Sequence, residues 1–292
     1  MTDSSTCDNS KVFMFLLLGT LSAFGPFITD MFLPTLPSMS DYFHASTSMV
    51  QLSLTFSMLG LALGQLVFGP LSGKFGRRPP LIYSMLIFIF STIGCILSPV
   101  IEIFLFFRFL QGIAGAGGVV ISRSVAVDKF STEELTAALS IIGGINGIAP
   151  VVAPIIGGFC TDSIGWRGIF LILLILGCLI LFMCLNFRES LTEDKRAQDN
   201  LWNVFKLFKE VLDNKIYLFY VLQMALSQGI LFGNIASSPF IIQEYYQQNA
   251  LMFSLYFSIN SVAIGIGAAS SIKFKNPNNG MFVSCIGMLV GS

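Results

Sequence analysis

Charge is what this sequence has least of. Only 11% of its 292 residues are Asp, Glu, Lys or Arg, against 54% hydrophobic, and its mean hydropathy is +0.79. A water-facing domain needs about a quarter of its residues charged to solvate its surface, so a single soluble globule is excluded. Histidine is nearly absent too. The one His44 falls in a short polar stretch without metal-ligating partners at useful spacing. With no Ser/His/Asp set, HExxH helix or phosphate-cradling loop beside it, an enzyme is not expected. Six cysteines are present, but Cys95, Cys178, Cys184 and Cys285 lie inside apolar runs and Cys7 near the N-terminus, and only Cys160 approaches the expected outer face. That pattern excludes a disulfide framework. A cleavable leader is not expected either: the first apolar run is too long, follows Asp3, Asp8 and a single Lys11, and lacks a small-residue cleavage site.

What is present is hydrophobicity in blocks. Runs of about 20 apolar residues, enough to cross the hydrocarbon core of a bilayer, recur along nearly the whole chain. They predict spans over Val12–Phe32, Met49–Leu71, Leu81–Leu97, Ile103–Ser122, Ala137–Phe159, Ile169–Phe187, Ile216–Phe240 and Leu251–Ile272, with a ninth beginning near Met281. The runs are solidly apolar rather than alternating, so they read as helices and not barrel strands. Placing the N-terminus in the cytoplasm puts all but Arg108 and Arg167 of the 16 basic residues inside, which fixes the expected orientation. The one long polar stretch, Arg188–Lys215, divides the chain into 1–187, a linker 188–215 and 216–292. Within the linker, Leu201, Phe205, Phe208 and Leu212 fall at helical spacing. They fit either an amphipathic helix on the membrane surface or a solvated linker.

Three segments carry more than hydrophobicity. Gly69-Pro70-Leu71-Ser72-Gly73-Lys74-Phe75-Gly76-Arg77-Arg78 follows the second span; its glycines permit a tight turn and close helix packing, and its basic pair can meet helix C-termini and carboxylates. In the fourth span Arg108 stands before Gln111 and Gly112. An arginine inside a span costs about 2.5–3.5 kcal/mol on insertion scales, so it is a candidate functional group unless it snorkels to the outer interface. The fifth span reads Pro150-Val151-Val152-Ala153-Pro154-Ile155-Ile156-Gly157-Gly158. Its prolines bend the helix and its small residues let another backbone approach.

The chain also repeats itself weakly. Phe56-Ser57 and Ala62-Leu63-Gly64 recur 201 residues later as Phe257-Ser258 and Ala263-Ile264-Gly265, aligning the second span with the eighth. The same shift carries residue 292 onto residue 91, so a second half matching the first would be about three helices short, and efflux by this chain alone is not expected.

The loop from Gly69 to Arg78 resembles the signature between the second and third spans of the major facilitator superfamily. Arg108-x-x-Gln111-Gly112 and Pro154-x-x-Gly157-Gly158 are similar to motifs of its proton-coupled drug antiporters. With Thr29-Asp30-Met31-Phe32-Leu33-Pro34, Gly165-Trp166-Arg167 and Ser237-Ser238-Pro239-Phe240, the sequence resembles the Bcr/CflA-type multidrug efflux branch, shortened at its C-terminal end. It departs from the pattern at Gly73, where the family has an aspartate that helps latch one conformation, and at Ala153, where a glycine is usual.

The resemblance implies an all-α membrane fold: an N-terminal six-helix bundle plus a partial second bundle, eight complete spans and part of a ninth. It implies proton-coupled efflux of amphipathic drugs across the bacterial inner membrane by alternating access. The partners it implies are lipophilic or cationic small molecules, protons and lipid, with no cofactor beyond the proton gradient and no nucleic acid. Export of a specific metabolite or siderophore, and a non-transporting remnant, are the alternatives.

On this reading Gly69, Gly73, Gly76, Arg77 and Arg78 form a gating loop. Gln111, Gly112, Pro150, Pro154, Gly157 and Gly158 pack and bend helices. Asp30 and Arg108 couple protons. Asp30 is the one carboxylate placed inside a complete span, unless it merely caps the outer end of its helix. Asp30 and Arg108 each lie about 10 Å from an outer marker at 1.5 Å per residue, so they are expected at matching depth facing one cavity, forming or nearly forming an ion pair.

Overall fold

The computed structural model describes residues 10–196 and 212–270; the expected surface helix over Leu201, Phe205 and Phe208 and the expected ninth span lie outside the described residues. Helix α1 spans Lys11–Asp30, and Ser10 caps it by accepting from the Phe13 amide at 3.2 Å. It stops where Pro34 removes the amide that would bond the Asp30 carbonyl. A 3-10 turn, Leu33–Thr35, then leads into the short α2, Leu36–Phe43.

Ser46 caps α3 (Thr47–Phe75), which ends at Gly76 with a φ of 90°. Helix α4 (Arg78–Leu97) begins with Pro79 and Pro80, residues suited to a first turn whose amides have no helical partner. Helix α5 is Ile101–Lys129. The expected fifth and sixth spans form one continuous element, α6 (Thr132–Asn186), interrupted at Gly165, whose φ of 64° turns the chain between its two arms. Then follow α7 (Lys215–Phe240), a π-helical turn over Ile241–Tyr245, and α8 (Ala250–Ser270).

Six of the described segments are long and apolar enough to cross a membrane, with α6 counted once, and Ala250–Ile266 is apolar but shorter. No strand occurs among the described residues.

Helix α5 is a packing hub, lying against α1, α3 and α4, while α6 covers α1 and α4. Small residues make that density possible. A Cβ on Gly112 of α5 would collide with the Ser57 carbonyl of α3, so the two backbones lie in direct contact. Phenylalanines fill the rest: Phe24 and Phe88 bring α1 and α4 together with ring centroids 4.4 Å apart. Several buried hydroxyls are satisfied within their own helices, as when Ser53 donates to the Val50 carbonyl at 2.6 Å.

Candidate functional site

A cavity of about 410 Å³ opens between α1, α6, α7 and α8. Its walls are mostly apolar, with Pro26, Pro150, Phe232 and Phe257 among them, and Asp30 is the one charged residue lining it among the described residues. Asp30 stands on the last turn of α1 and accepts a 2.8 Å hydrogen bond from the Thr29 hydroxyl. Two turns back along α1, Asn146 of α6 donates to Ser22 at 2.9 Å. Asn260 of α8 adds an amide to the wall. Proline in α1 and α6 removes intrahelical bonds beside this space, consistent with bent walls.

Arg108 does not meet Asp30, which corrects the expected ion pair. Its guanidinium is fully buried and donates to the Ile28 carbonyl at 3.1 Å and to the Gln111 side-chain oxygen, while its Nε has no hydrogen-bond partner. Its charge lies over aromatic faces, 4.1 Å from the Phe32 ring centroid and 5.5 Å from that of Phe170. Gln111 passes the network on to Thr92 of α4 at 2.8 Å.

The reason is angular. At about 100° per residue, Ile28 and Asp30 point to opposite faces of α1, and Phe32 follows in the turn beyond the helix end. Arg108 contacts residues on both sides of Asp30 along the chain, the Ile28 carbonyl and the Phe32 ring, and not Asp30 itself. Burial also removes the alternative that Arg108 snorkels outward.

The loop after α3 is built around two carboxylates that the motif does not contain. Arg77 grips Asp128 at the end of α5 with Nε at 2.8 Å and a second nitrogen at 3.3 Å, and reaches Ser72 at 3.1 Å. Glu189, just past α6, accepts from the backbone amides of Arg77 at 2.7 Å and Arg78 at 3.0 Å, and from those of Ser190 and Leu191. An anion at the N-terminus of α4 satisfies amides that have no helical partner. Arg78 caps the C-terminal end of α6 through the Leu185 carbonyl at 2.7 Å.

Of the expected loop glycines, only Gly76 makes the turn, and a Cβ there would strike the Glu189 carboxylate. Gly69 and Gly73 lie within α3, which corrects the reading of Gly73 as a turn residue; a Cβ on Gly73 would meet nothing within 4 Å. An acidic residue in the last turn of α5 and another just past α6 were visible signals for these partners.

The proline and glycine segment of α6 is a contact surface on two sides. Pro150 and Pro154 lie within the helix. Gly157 accommodates the Met31 carbonyl at the broken end of α1, and Gly158 accommodates Ser254 and the Ala250 carbonyl of α8. Ala153, at the departed motif position, is fully buried.

Residues 15–292 match the Major Facilitator Superfamily. The chain belongs to that superfamily. It is 36% identical over 255 residues to an uncharacterized MFS-type transporter of Bacillus subtilis, covering 86% of this chain and 63% of that protein. It is 30% identical over 268 residues to a bicyclomycin resistance protein homolog of Haemophilus influenzae, covering 90% of this chain and 67% of the relative. A chloramphenicol resistance protein of Pseudomonas aeruginosa is 28% identical over 85% of the chain and 59% of its own length. These names agree with the Bcr/CflA-type resemblance.

Among solved structures, a bacterial homolog of the human lysosomal transporter Spinster superposes with a TM-score of 0.70 at 18% identity, over 92% of this chain and 63% of that one. A D-xylose-proton symporter gives 0.65 at 18%, over 90% and 69%. Both share the fold. The chain spans about two thirds or less of the curated relatives it matches. This member of the superfamily is helical throughout its described residues, with six segments long and apolar enough to cross a membrane.

Proposed function

We propose that the cavity carries amphipathic small molecules, neutral or singly cationic, from the cytoplasm or inner leaflet outward in exchange for protons. The observation that carries this reading is an apolar cavity between helices of both halves whose single charge is Asp30. A cation and a proton would compete for that carboxylate. Binding the proton removes the charge and releases the cation, and loss of the proton restores the seat. Resistance names among the relatives support drugs as the substrate class. The abundant Phe and Met, 29 and 12 residues, suit an adaptable apolar wall.

In this reading residues 1–187 form a six-span bundle, 188–215 the linker and 216–292 part of the second bundle, with eight complete spans and a ninth begun, in a bacterial inner membrane with the N-terminus cytoplasmic. The conformation is then inward-facing. The end bearing Pro34, Gln51 and Ala250 is closed by Gln51 donating to the Ala236 carbonyl and Gln243 to the Pro34 carbonyl, each at 3.0 Å. The cavity lining runs toward the opposite end through Gly147 and Gly265. Arg108 acts on this cycle indirectly, by fixing the end of α1 that aims Asp30, and the Gly76–Arg78 loop holds the inner ends of α3–α6 together.

The test is binding of tetraphenylphosphonium to the purified chain across a pH series. Binding should strengthen as pH rises, and Asp30→Asn should weaken it at least about tenfold, or 1.4 kcal/mol, and flatten the pH dependence. A neutral lipophilic dye should still bind. Unchanged cation binding in the variant removes the basis of the proposal. Dye export from an efflux-deficient bacterium, in a version carrying a complete second half, should lose its dependence on the pH gradient in the same variant.

A further inference from the structure

The cavity has a second polar region besides Asp30, and three helices build it. Ser22 of α1, Asn146 of α6 and Asn260 of α8 all line the space. Helices α1 and α6 run in the same direction, with Met31 against Gly157 at one level and Ser22 bonded to Asn146 at another. Helix α8 runs the opposite way, since Gly158 accommodates Ser254 while Val151 accepts from the Ser258 hydroxyl at 3.0 Å. Asn260, two residues beyond Ser258, therefore stands level with the stretch of α6 between Val151 and Asn146. Ser22 lies eight residues before Asp30, about 12 Å along α1, and Pro26 between them lines the same face. The carboxylate and the amides thus occupy two separated places on one apolar wall.

Both amides stand out from their helices. Asn260 is the one side-chain amide in α8, and Asn146 is the one in α6 before Gly165. Such groups are costly inside apolar spans unless they find hydrogen bonds. An asparagine offers two donors and an acceptor with two lone pairs, and the bond to Ser22 uses one donor of Asn146. A structural link between α1 and α6 accounts for that bond. It does not account for Asn260, which is exposed on the wall of the same cavity.

We infer that Asn146 and Asn260, with Ser22, form a hydrogen-bonding subsite for an amide, carbamate or hydroxyl group carried about 12 Å from a substrate's cationic nitrogen. This rests on the exchange reading above, in which Asp30 seats the cation, and it narrows the substrate class to elongated amphipaths with two polar ends. A few polar groups on an apolar wall fix a ligand's orientation. They also discriminate, because an analogue lacking the partner leaves the amides covered and unbonded.

The test is titration calorimetry on the purified full chain with three probes. The first is an alkyltrimethylammonium ion whose extended chain spans the distance from Asp30 to Ser22 and ends in a primary carboxamide. The second ends in a methyl group instead, and the third is tetraphenylphosphonium. The affinity ratio of the first to the second should fall about fivefold in Asn260→Leu, a near-isosteric change, with tetraphenylphosphonium bound within about twofold of the parent. Asn260→Ala is made beside it in case the leucine disturbs the wall, and an unchanged ratio there overturns the inference.

Asn146→Leu should lower the ratio as well. If it weakens all three probes equally, Asn146 is only a structural link and the two-amide subsite is refuted. A carboxamide probe with half the spacer should lose its dependence on Asn260, and retained dependence would refute the spacing. Failure of the exchange proposal shows elsewhere. There, Asp30→Asn leaves tetraphenylphosphonium binding unchanged, whereas the subsite is judged by the carboxamide ratio in Asn260→Ala.

Discussion

Arg108 donates to the backbone carbonyl of Ile28 at 3.1 Å and leaves Asp30, two residues further along α1, to face the cavity. A cation placed at the C-terminal end of a helix interacts favourably with its dipole. Here it also occupies a carbonyl close to where α1 breaks. The single arginine inside the spans is thereby a brace for the helix end that presents the carboxylate, and the two charges do separate jobs.

That separation predicts independent energetics. Arg108→Met should destabilise the protein by about 2–4 kcal/mol, since it strips the donor from Ile28 and Gln111 and removes a charge from two aromatic faces. Asp30→Asn should change stability by less than about 0.5 kcal/mol, because it breaks no ion pair, and the double variant should be additive within a similar margin. Unfolding in mixed detergent micelles measures all three. A coupling near 3 kcal/mol would restore the pairing that the structure denies.

Glu189 is predicted to matter more for its shape and charge than for any side-chain partner. Glu189→Ala leaves the Arg77 and Arg78 amides at the start of α4 without an acceptor and should cost about 1–3 kcal/mol. Glu189→Gln, which keeps one acceptor oxygen in place, should cost less. The Arg77–Asp128 pair is largely shielded, with side chains 14% and 12% exposed. A double-mutant cycle there should give a coupling above the 0.2–1 kcal/mol typical of exposed pairs. Thermal unfolding of the four single variants and the Arg77/Asp128 double provides the comparison.

Two glycines should respond oppositely to enlargement. Gly112→Val must push the α5 backbone off Ser57 and should destabilise by about 1–3 kcal/mol as an overpacked core position does. Gly73→Asp, which restores the family residue, places its Cβ in open space and should leave folding unaffected. Size-exclusion profiles and melting temperatures side by side decide whether these assignments hold.

The expected orientation is tested by labelling. In a Cys-free version with single cysteines introduced, positions Ser46 and Glu244 should react with an impermeant maleimide from outside, and Arg78 and Lys195 should not. The converse pattern would invert the topology and with it the direction in which the cavity opens.

The spans were legible because hydrocarbon thickness leaves little choice of length, and α1, α3, α4, α5 and α7 fall where the apolar runs place them. The motif segments were legible for a similar reason: proline, glycine and a buried arginine are costly unless a specific geometry uses them. What the sequence hides is rotation about the helix axis. Periodicity says that Ile28 and Asp30 point opposite ways, but only the packing of α5 on α1 decides which of them meets Arg108. Contacts distant in sequence were hidden too. Glu189 and the Arg77 amide it receives are 112 positions apart, and no local pattern joins them. The Gly165 break was masked because both arms of α6 are apolar and only the backbone angle separates them.

A cavity with one carboxylate has a consequence for energy conversion. Under the proposed exchange, Asp30 can balance one positive charge at a time, so a monovalent cation leaving for one entering proton moves no net charge. Such a cycle draws on the pH difference alone and is indifferent to membrane voltage. A neutral substrate exchanged for the same proton moves one charge inward and gains about 2.3 kcal/mol per 100 mV of interior-negative potential. One protein would then accumulate its two substrate classes against different limits. Collapsing the voltage with valinomycin and potassium should slow export of the neutral class and spare the cationic one.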